Sequence, residues 1–251
     1  MEEALLGVPT RLIRPVRHGN AFEETIERLL QNIKLGLFGV GDKLPAEREL
    51  SELLGVSRAT LRDALAELQK AGYVEVRRGR SGGTYVSARR LGELRGAAGL
   101  DPAEVNDVLT YRAVLEPAAA SLAAQAMLSP GQRRHLLNTL ADVAGAPAEL
   151  YRPKDARFHV AIAEVSGSPS LVAAVADARA RVSDLLDRIP FLEPNLEHSN
   201  RQHQEIIDAI LRGDADGAYR AALDHLQGTA SLLHGFLLSP ENSSAATSDV
   251  P

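Results

Sequence analysis

From residue 21 the apolar positions fall into a helical rhythm. Phe22, Ile26, Leu29, Leu30 and Ile33 recur at spacings of three, four and seven, which predicts a helix over residues 21–35, ended by Gly36, Gly39 and Gly41. After a loop through Lys43, Leu44 and Pro45, a short helix is expected over residues 46–54, with Gly55 free to take the left-handed conformation of a tight turn. Ser57 is a natural N-cap for the next helix, Arg58 to about Ala71, whose stripe Leu61, Leu65, Leu68 marks a buried face. The period then changes to that of strands. Residues 73–77 and 84–86 read as a hairpin around Arg78, Gly79, Arg80, Ser81, Gly82 and Gly83.

Beyond Asp101 the texture is helical throughout. Ala- and Leu-rich segments are expected over residues 102–112, 114–127, 130–144, 148–166, 169–188, 197–212 and 215–237, with Asp101 capping the first and Pro102 at its first position. No strand pattern interrupts them. The fold expected is therefore mainly α: a winged helix-turn-helix followed by an all-α antiparallel helical bundle. Its divisions are an arm over 1–19, a head over 20–88, a linker over 89–101, a helical domain over 102–238 and a polar, Pro/Ser-rich tail over 239–251, read as disordered.

Composition narrows the chemistry. Aromatic residues are only 4% of the 251 and tryptophan is absent, so the helical core must be built from Leu, Val, Ile and Ala. The lack of cysteine excludes disulfides, iron-sulfur clusters, Cys-ligated zinc and a cysteine nucleophile, and leaves any metal to His and carboxylate. No apolar run approaches the roughly 18 residues of a membrane span, and residues 1–15 lack the basic start and apolar centre of a secretory signal, so a cytoplasmic protein with no membrane partner is expected. The net charge of -5 is unevenly spread: residues 1–90 carry 15 basic and 12 acidic side chains, a balance of +3, and the remainder 13 and 21, a balance of -8. A mildly basic module joined to an acidic one fits a nucleic-acid reader attached to a second function.

In a winged helix-turn-helix the second helix of the pair enters the major groove by its N-terminal end, and the wing lies along the neighbouring backbone or minor groove. Arg58 and Arg62, one turn apart beside the leucine stripe, are placed to reach base edges, while Ser57, Thr60, Arg78 and Arg80 are placed for phosphates. The simpler alternative pairs the two arginines with Asp63 and Glu67 on the protein's own surface. The stretch from Gly41 to Val86, GDKLPAERELSELLGVSRATLRDALAELQKAGYVEVRRGRSGGTYV, resembles the N-terminal domain of the GntR family of bacterial transcription regulators. The resemblance implies that Arg48 touches DNA near its helix start, that Arg58 and Arg62 read or flank guanines, that Thr60 contacts phosphate, and that the wing tip around Gly82 enters the minor groove. Ala59 departs from the family, where a hydroxyl residue is common.

Three histidines fall on inward stripes of three different helices. His159 precedes Ile162 and Ala163, His203 precedes Ile206, Ile207 and Ile210, and His225 shares a face with Ala218, Ala221, Ala222 and Leu232. Asp155 lies one turn before His159, so a carboxylate and an imidazole there suit one ion. A single histidine on an apolar face is usually a satisfied core residue, and spacing alone does not show that the three converge. Arg112 also projects from an inward stripe, with Glu116 at i+4 or the carboxylate of a ligand as its partner.

Residues from about Pro102 to Leu237 resemble the FCD domain, the FadR-type C-terminal ligand-binding domain. The resemblance runs through Glu116-Pro117-Ala118, Asp155-x-x-Phe158-His159, His203 with Ile206, Gly213-Asp214 and His225-Leu226. Ser168 replaces an Asn common in the family. The resemblance implies that Asp155, His159, His203 and His225 hold a divalent cation, zinc first with nickel or manganese as alternatives, and that Arg112 faces the effector cavity. The function expected is that of a homodimeric repressor of a palindromic double-stranded operator, not an enzyme, controlled by a small carboxylate bound at the metal. Two alternatives stand beside it: a regulator answering to metal alone, and a metallohydrolase with a DNA-binding appendage.

Overall fold

The computed structural model describes residues 20–34, 37–79, 82–87 and 100–238. The expected arm over 1–19, the tail over 239–251, nearly all of the 89–101 linker and the predicted DNA contact Arg80 lie outside the described residues. The chain divides into two compact units, residues 1–102 with 228–251, and residues 103–227.

The first unit begins with α1 (Ala21–Lys34), α2 (Glu47–Leu54) and α3 (Arg58–Lys70), followed by β1 (Val74–Arg77) and β2 (Gly83–Val86). Of the predicted stripes Ile26, Leu29, Leu30, Ile33, Leu61, Leu65 and Leu68 are buried and Phe22 is half-buried; Leu50 and Leu54 of α2 join that core, and α3 packs on both α1 and α2. Ala46 stands just outside α2, its backbone extended while its carbonyl accepts from the Leu50 N–H at 2.9 Å, as an N-cap requires. Gly55 closes α2 at φ 69°, a value that costs a side-chain-bearing residue strain, and so turns the chain into α3. Ser57 caps α3 by accepting from the Thr60 N–H at 3.0 Å.

The hairpin is antiparallel with Val74 opposite Val86 and Arg77 opposite Gly83. Residues 41–44 run along the other edge of β2, where Leu44 N–H donates to Thr84 O at 2.8 Å and Val86 N–H to Asp42 O at 2.9 Å, so the wing has a short third edge that the hydrophobic pattern did not announce.

Within 103–227 the structure is all helix among the described residues: α4 (Pro102–Gln125), α5 (Pro130–Ala144), α6 (Ala148–Val165), α7 (Pro169–Leu186), α8 (Glu193–Arg212) and the start of α9 (Ala215–Leu237). Leu136, Phe158, Ala161, Ile206, Ile207 and Ala218 lie at the centre of its aliphatic core. The seven expected segments become six helices, because 102–112 and 114–127 form one continuous α4. Pro117 has no N–H to offer the Ala113 carbonyl, yet the helix runs through it, since Arg112, Glu116, Ala119 and Ala120 are all buried along one face and packing outweighs the lost bond. Helix α8 starts four residues before the expected position 197, with Pro194 in its first turn.

The expected helical domain over 102–238 is also divided differently, since the chain from Gly228 onward groups with the first unit. The cause is close packing by the last turns of α9: a Cβ on Gly235 would stand 2.8 Å from the Cα of Glu27, and one on Gly228 2.7 Å from Asn20 Oδ1. Tyr73 and Phe236 complete that contact with ring centroids 5.6 Å apart. No helix among the described residues is long and apolar enough to cross a membrane.

Candidate functional site

Helix α3 presents its N-terminal end outward. Arg58 is exposed, and Arg62 is exposed and meets Glu47 of α2 at 3.3 Å. The expected alternative partners, Asp63 and Glu67, are not used, and Glu67 instead takes Lys70 at 2.7 Å. Arg48 pairs along its own helix with Glu52 at 3.2 Å. These are solvent-screened pairs worth about 0–1 kcal/mol, so a phosphate or a guanine edge can replace either carboxylate at little cost. Ser57 and Thr60 share a hydroxyl–hydroxyl bond of 2.8 Å at the same helix end. Arg78 is exposed at the wing. Gly82 is sterically required there, because a Cβ would meet the Gly79 carbonyl oxygen at 2.8 Å and that of Arg77 at 3.0 Å.

The second constellation lies wholly within 103–227. Helices α6, α8 and α9 bring Asp155, His159, His203 and His225 together, each offering a ligand atom within 4.8 Å of the others. His203 Nε2 is 3.3 Å from His225 Nε2 and 3.2 Å from Asp155 Oδ1, while His159 Nε2 is 3.8 Å from Asp155 Oδ1. Ligands about 2.0–2.2 Å from a tetrahedral ion stand roughly 3.3–3.5 Å from one another, so the donor set is almost closed around an ion-sized point. His159 Nε2 is buried with no hydrogen-bond partner, an orphan that a metal would satisfy.

Two of the three outer nitrogens are also held, while His203 Nδ1 is buried without a hydrogen-bond partner. His159 Nδ1 lies 2.9 Å from Glu116 Oε2, and His225 Nδ1 lies 3.2 Å from Gln202 Oε1, which turns both Nε2 atoms toward the centre. Burial, reinforced by the neighbouring imidazoles and guanidiniums, pushes His203 and His225 well below the ordinary imidazole value, so both are neutral near pH 7 and fit to ligate.

Arg112 takes the internal partner expected for it at i+4. Its Nε is bound to Glu116 Oε1 at 2.6 Å, and its Nη1 is buried without a hydrogen-bond partner. A second guanidinium, Arg179 of α7, pairs with Asp155 Oδ2 and stands 3.5 Å from Glu116 Oε2. Burial alone would raise the Glu116 carboxyl, but Arg112, Arg179 and His159 outweigh it and hold the group well below the usual carboxylate range. Burial and the nearby Arg112 lower Arg179 to about 9, which leaves it protonated at neutral pH. The result is a cluster of two carboxylates and two guanidiniums beside a candidate metal-ligand set.

Residues 22–86 match the bacterial regulatory proteins of the gntR family, and residues 107–228 match the FCD domain. The HTH-type transcriptional repressor NanR of Enterobacter sp. (strain 638) is 32% identical over 240 residues, covering 89% of this chain and 89% of its own. The chain belongs to the GntR family. A protein of Escherichia coli (strain K12), named for regulation of the L-lactate dehydrogenase operon, is 31% identical over 229 residues, with 86% of each chain covered. Among solved structures, Streptococcus agalactiae GntR is 29% identical, covers 83% of this chain and 98% of that one, and superposes with a TM-score of 0.42.

This GntR-family protein is accordingly a DNA-binding transcription regulator with an FCD domain, and the domains and relatives it shares are those of regulators rather than enzymes. Three polar members of its FCD centre escaped the reading of the sequence. Arg179 carried the same signal as Arg112, a cation between buried Val175 and Val182 on an apolar stripe, and was detectable on that ground. Glu116 figured only as a mate for Arg112, although it bridges both arginines and His159. Gln202 had no signal beyond its adjacency to His203.

Proposed function

We propose that this regulator is a homodimeric repressor whose affinity for a palindromic operator is set by a small carboxylate bound at a divalent-metal site formed by Asp155, His159, His203 and His225. The observation that carries the proposal is the pairing of an ion-sized His/Asp set with buried, unpartnered guanidinium N–H groups. A divalent ion supplies a Lewis-acidic position for a carboxylate oxygen, and zinc suits the three imidazoles best, with nickel and manganese as alternatives. Arg112 offers Nη1 to the same carboxylate while Nε stays on Glu116.

In the head, Arg58 and Arg62 read base edges, Arg48, Ser57, Thr60, Arg78 and Arg80 hold the duplex backbone, and the wing tip around Gly82 enters the minor groove. Two-fold symmetry of the dimer demands inverted half-sites. The protein works where the DNA is, in the cytoplasm. A regulator answering to metal alone gives the orphan Arg112 N–H no purpose, which favours the organic effector. The name of the L-lactate operon relative agrees with an acid as signal.

The experiment measures operator binding by fluorescence anisotropy with untagged protein, metal-free or loaded with zinc, in the absence and presence of a panel of small carboxylic acids. A carboxylate that shifts operator affinity tenfold need only distinguish two dimer states by about 1.4 kcal/mol. The proposal fails if protein purified without chelator contains no metal and added zinc, nickel and manganese all leave its melting temperature unchanged. A response to metal that no carboxylate alters selects the metal-only regulator.

A further inference from the structure

The charges around the metal ligands restrict the effector further, an inference that rests on the metal–carboxylate reading above. The charged groups ringing the site are the carboxylates of buried Glu116 and partly buried Asp155 and the guanidiniums of Arg112 and Arg179, and in the absence of an ion these four cancel. Imidazoles ligate a cation only in the neutral form, so His159, His203 and His225 add no charge to the loaded site. A divalent cation therefore leaves two positive charges among arginines that are 2% and 3% exposed and histidines that are no more than 5% exposed. Uncompensated charge in such surroundings is strongly disfavoured, and one carboxylate neutralises only half of it.

The donors agree with the charges. Arg112 Nη1, Arg179 Nε and Arg179 Nη1 are all buried without a hydrogen-bond partner, although native interiors rarely leave such groups unmet. The Arg179 guanidinium spends one nitrogen on Asp155 and so keeps that carboxylate oriented, and its Nη1 faces Glu116 Oε2 at 3.5 Å without a hydrogen bond, while Nε has no partner at all. Unmet N–H groups on two guanidiniums and a cation would together occupy nearly every lone-pair position of a single carboxylate, a demand that two carboxylates meet with less constraint.

We propose that the effector is a small dianion with two carboxylates, one held at the metal position and Arg112 and the other gripped by Arg179. Arg179 thereby becomes a specificity-determining residue as well as the support of Asp155. A monocarboxylate with a neutral hydroxyl can fill the same coordination positions, but it leaves one positive charge unmatched.

The test is isothermal titration of the full chain loaded with zinc, using malonate, succinate and glutarate, each against its own monomethyl ester, with zinc content measured in every sample. In the wild type at least one diacid should bind at least tenfold more tightly than its ester. Arg179→Gln lowers the loaded charge by one and should erase or reverse that preference in the fraction that holds zinc. Arg179→Lys keeps the charge and should keep the preference, which guards against a Gln variant that does not fold. Wild-type protein that binds the esters as tightly as the diacids overturns the inference, as does a tenfold preference that survives in Arg179→Gln or vanishes in Arg179→Lys. Zinc-loaded protein that binds neither diacids, esters nor simple monocarboxylates overturns the carboxylate reading itself.

Discussion

The two units use arginine in opposite ways. In the head, Arg48 and Arg62 are 70% and 63% exposed and rest on surface carboxylates that water already screens. In the FCD unit, Arg112 and Arg179 are almost wholly buried and lock Glu116 between them. A surface pair is cheap to exchange, which suits a side chain that must leave its partner for DNA. A buried pair is costly to break, which suits a cluster whose geometry must stay fixed. The same residue type is thus made labile or fixed by its surroundings alone.

The sharpest way to break this contrast is to remove one carboxylate on each side. Glu116→Ala leaves two buried guanidiniums without their shared partner and should destabilise the protein by about 3–5 kcal/mol in urea unfolding, with metal affinity falling through loss of the His159 support. Glu47→Ala, which frees Arg62 of its surface mate, should change stability by less than about 1 kcal/mol. Comparable losses from the two substitutions would show that the units do not differ as described.

Acid should separate them next. His203 and His225 sit below their ordinary value in the folded chain, so as pH falls below about 6.5 the unfolded chain takes up protons that the folded one refuses. The stability from these two groups is therefore complete above that pH and is lost below it, by up to about 2.7 kcal/mol per pH unit while both remain neutral in the fold. Thermal melts of chelator-treated protein between pH 7.5 and 5 check the sign. A flat profile would mean that the imidazoles are not held neutral. Zinc-loaded protein should fall more steeply, since protons then compete with the ion as well.

A smaller effect distinguishes reading from positioning within the head. Arg62→Ala should cost about 1–3 kcal/mol on the specific operator and relax preference at one base pair, whereas Arg78→Ala should weaken specific and random duplexes alike and reduce the salt slope by about one. Equal losses on specific and random DNA from Arg62→Ala would remove it from base recognition and leave it as a phosphate contact.

Local rules determined most of the head. The stripe of Leu61, Leu65 and Leu68, the Ser57 cap and the Gly55 turn are decided within a few residues of chain, and the structure places α3 at Arg58–Lys70 as that pattern required. The individual helices beyond residue 101 were legible for the same reason, whereas the expected break at 113 is absent because the buried face of Arg112, Glu116, Ala119 and Ala120 keeps α4 continuous. Convergence was beyond local reach. Asp155, His159, His203 and His225 lie up to 70 positions apart, and only the crossing of α6, α8 and α9 sets their ligand atoms within 4.8 Å. The role of Glu116 as the bridge between Arg112, Arg179 and His159, and the departure of the last turns of α9 to lie on α1, were likewise decided by tertiary packing. Periodicity tells which face of a helix is buried; which other face it meets depends on the summed fit of every helix in the unit, and that is where the chemistry of this site is made.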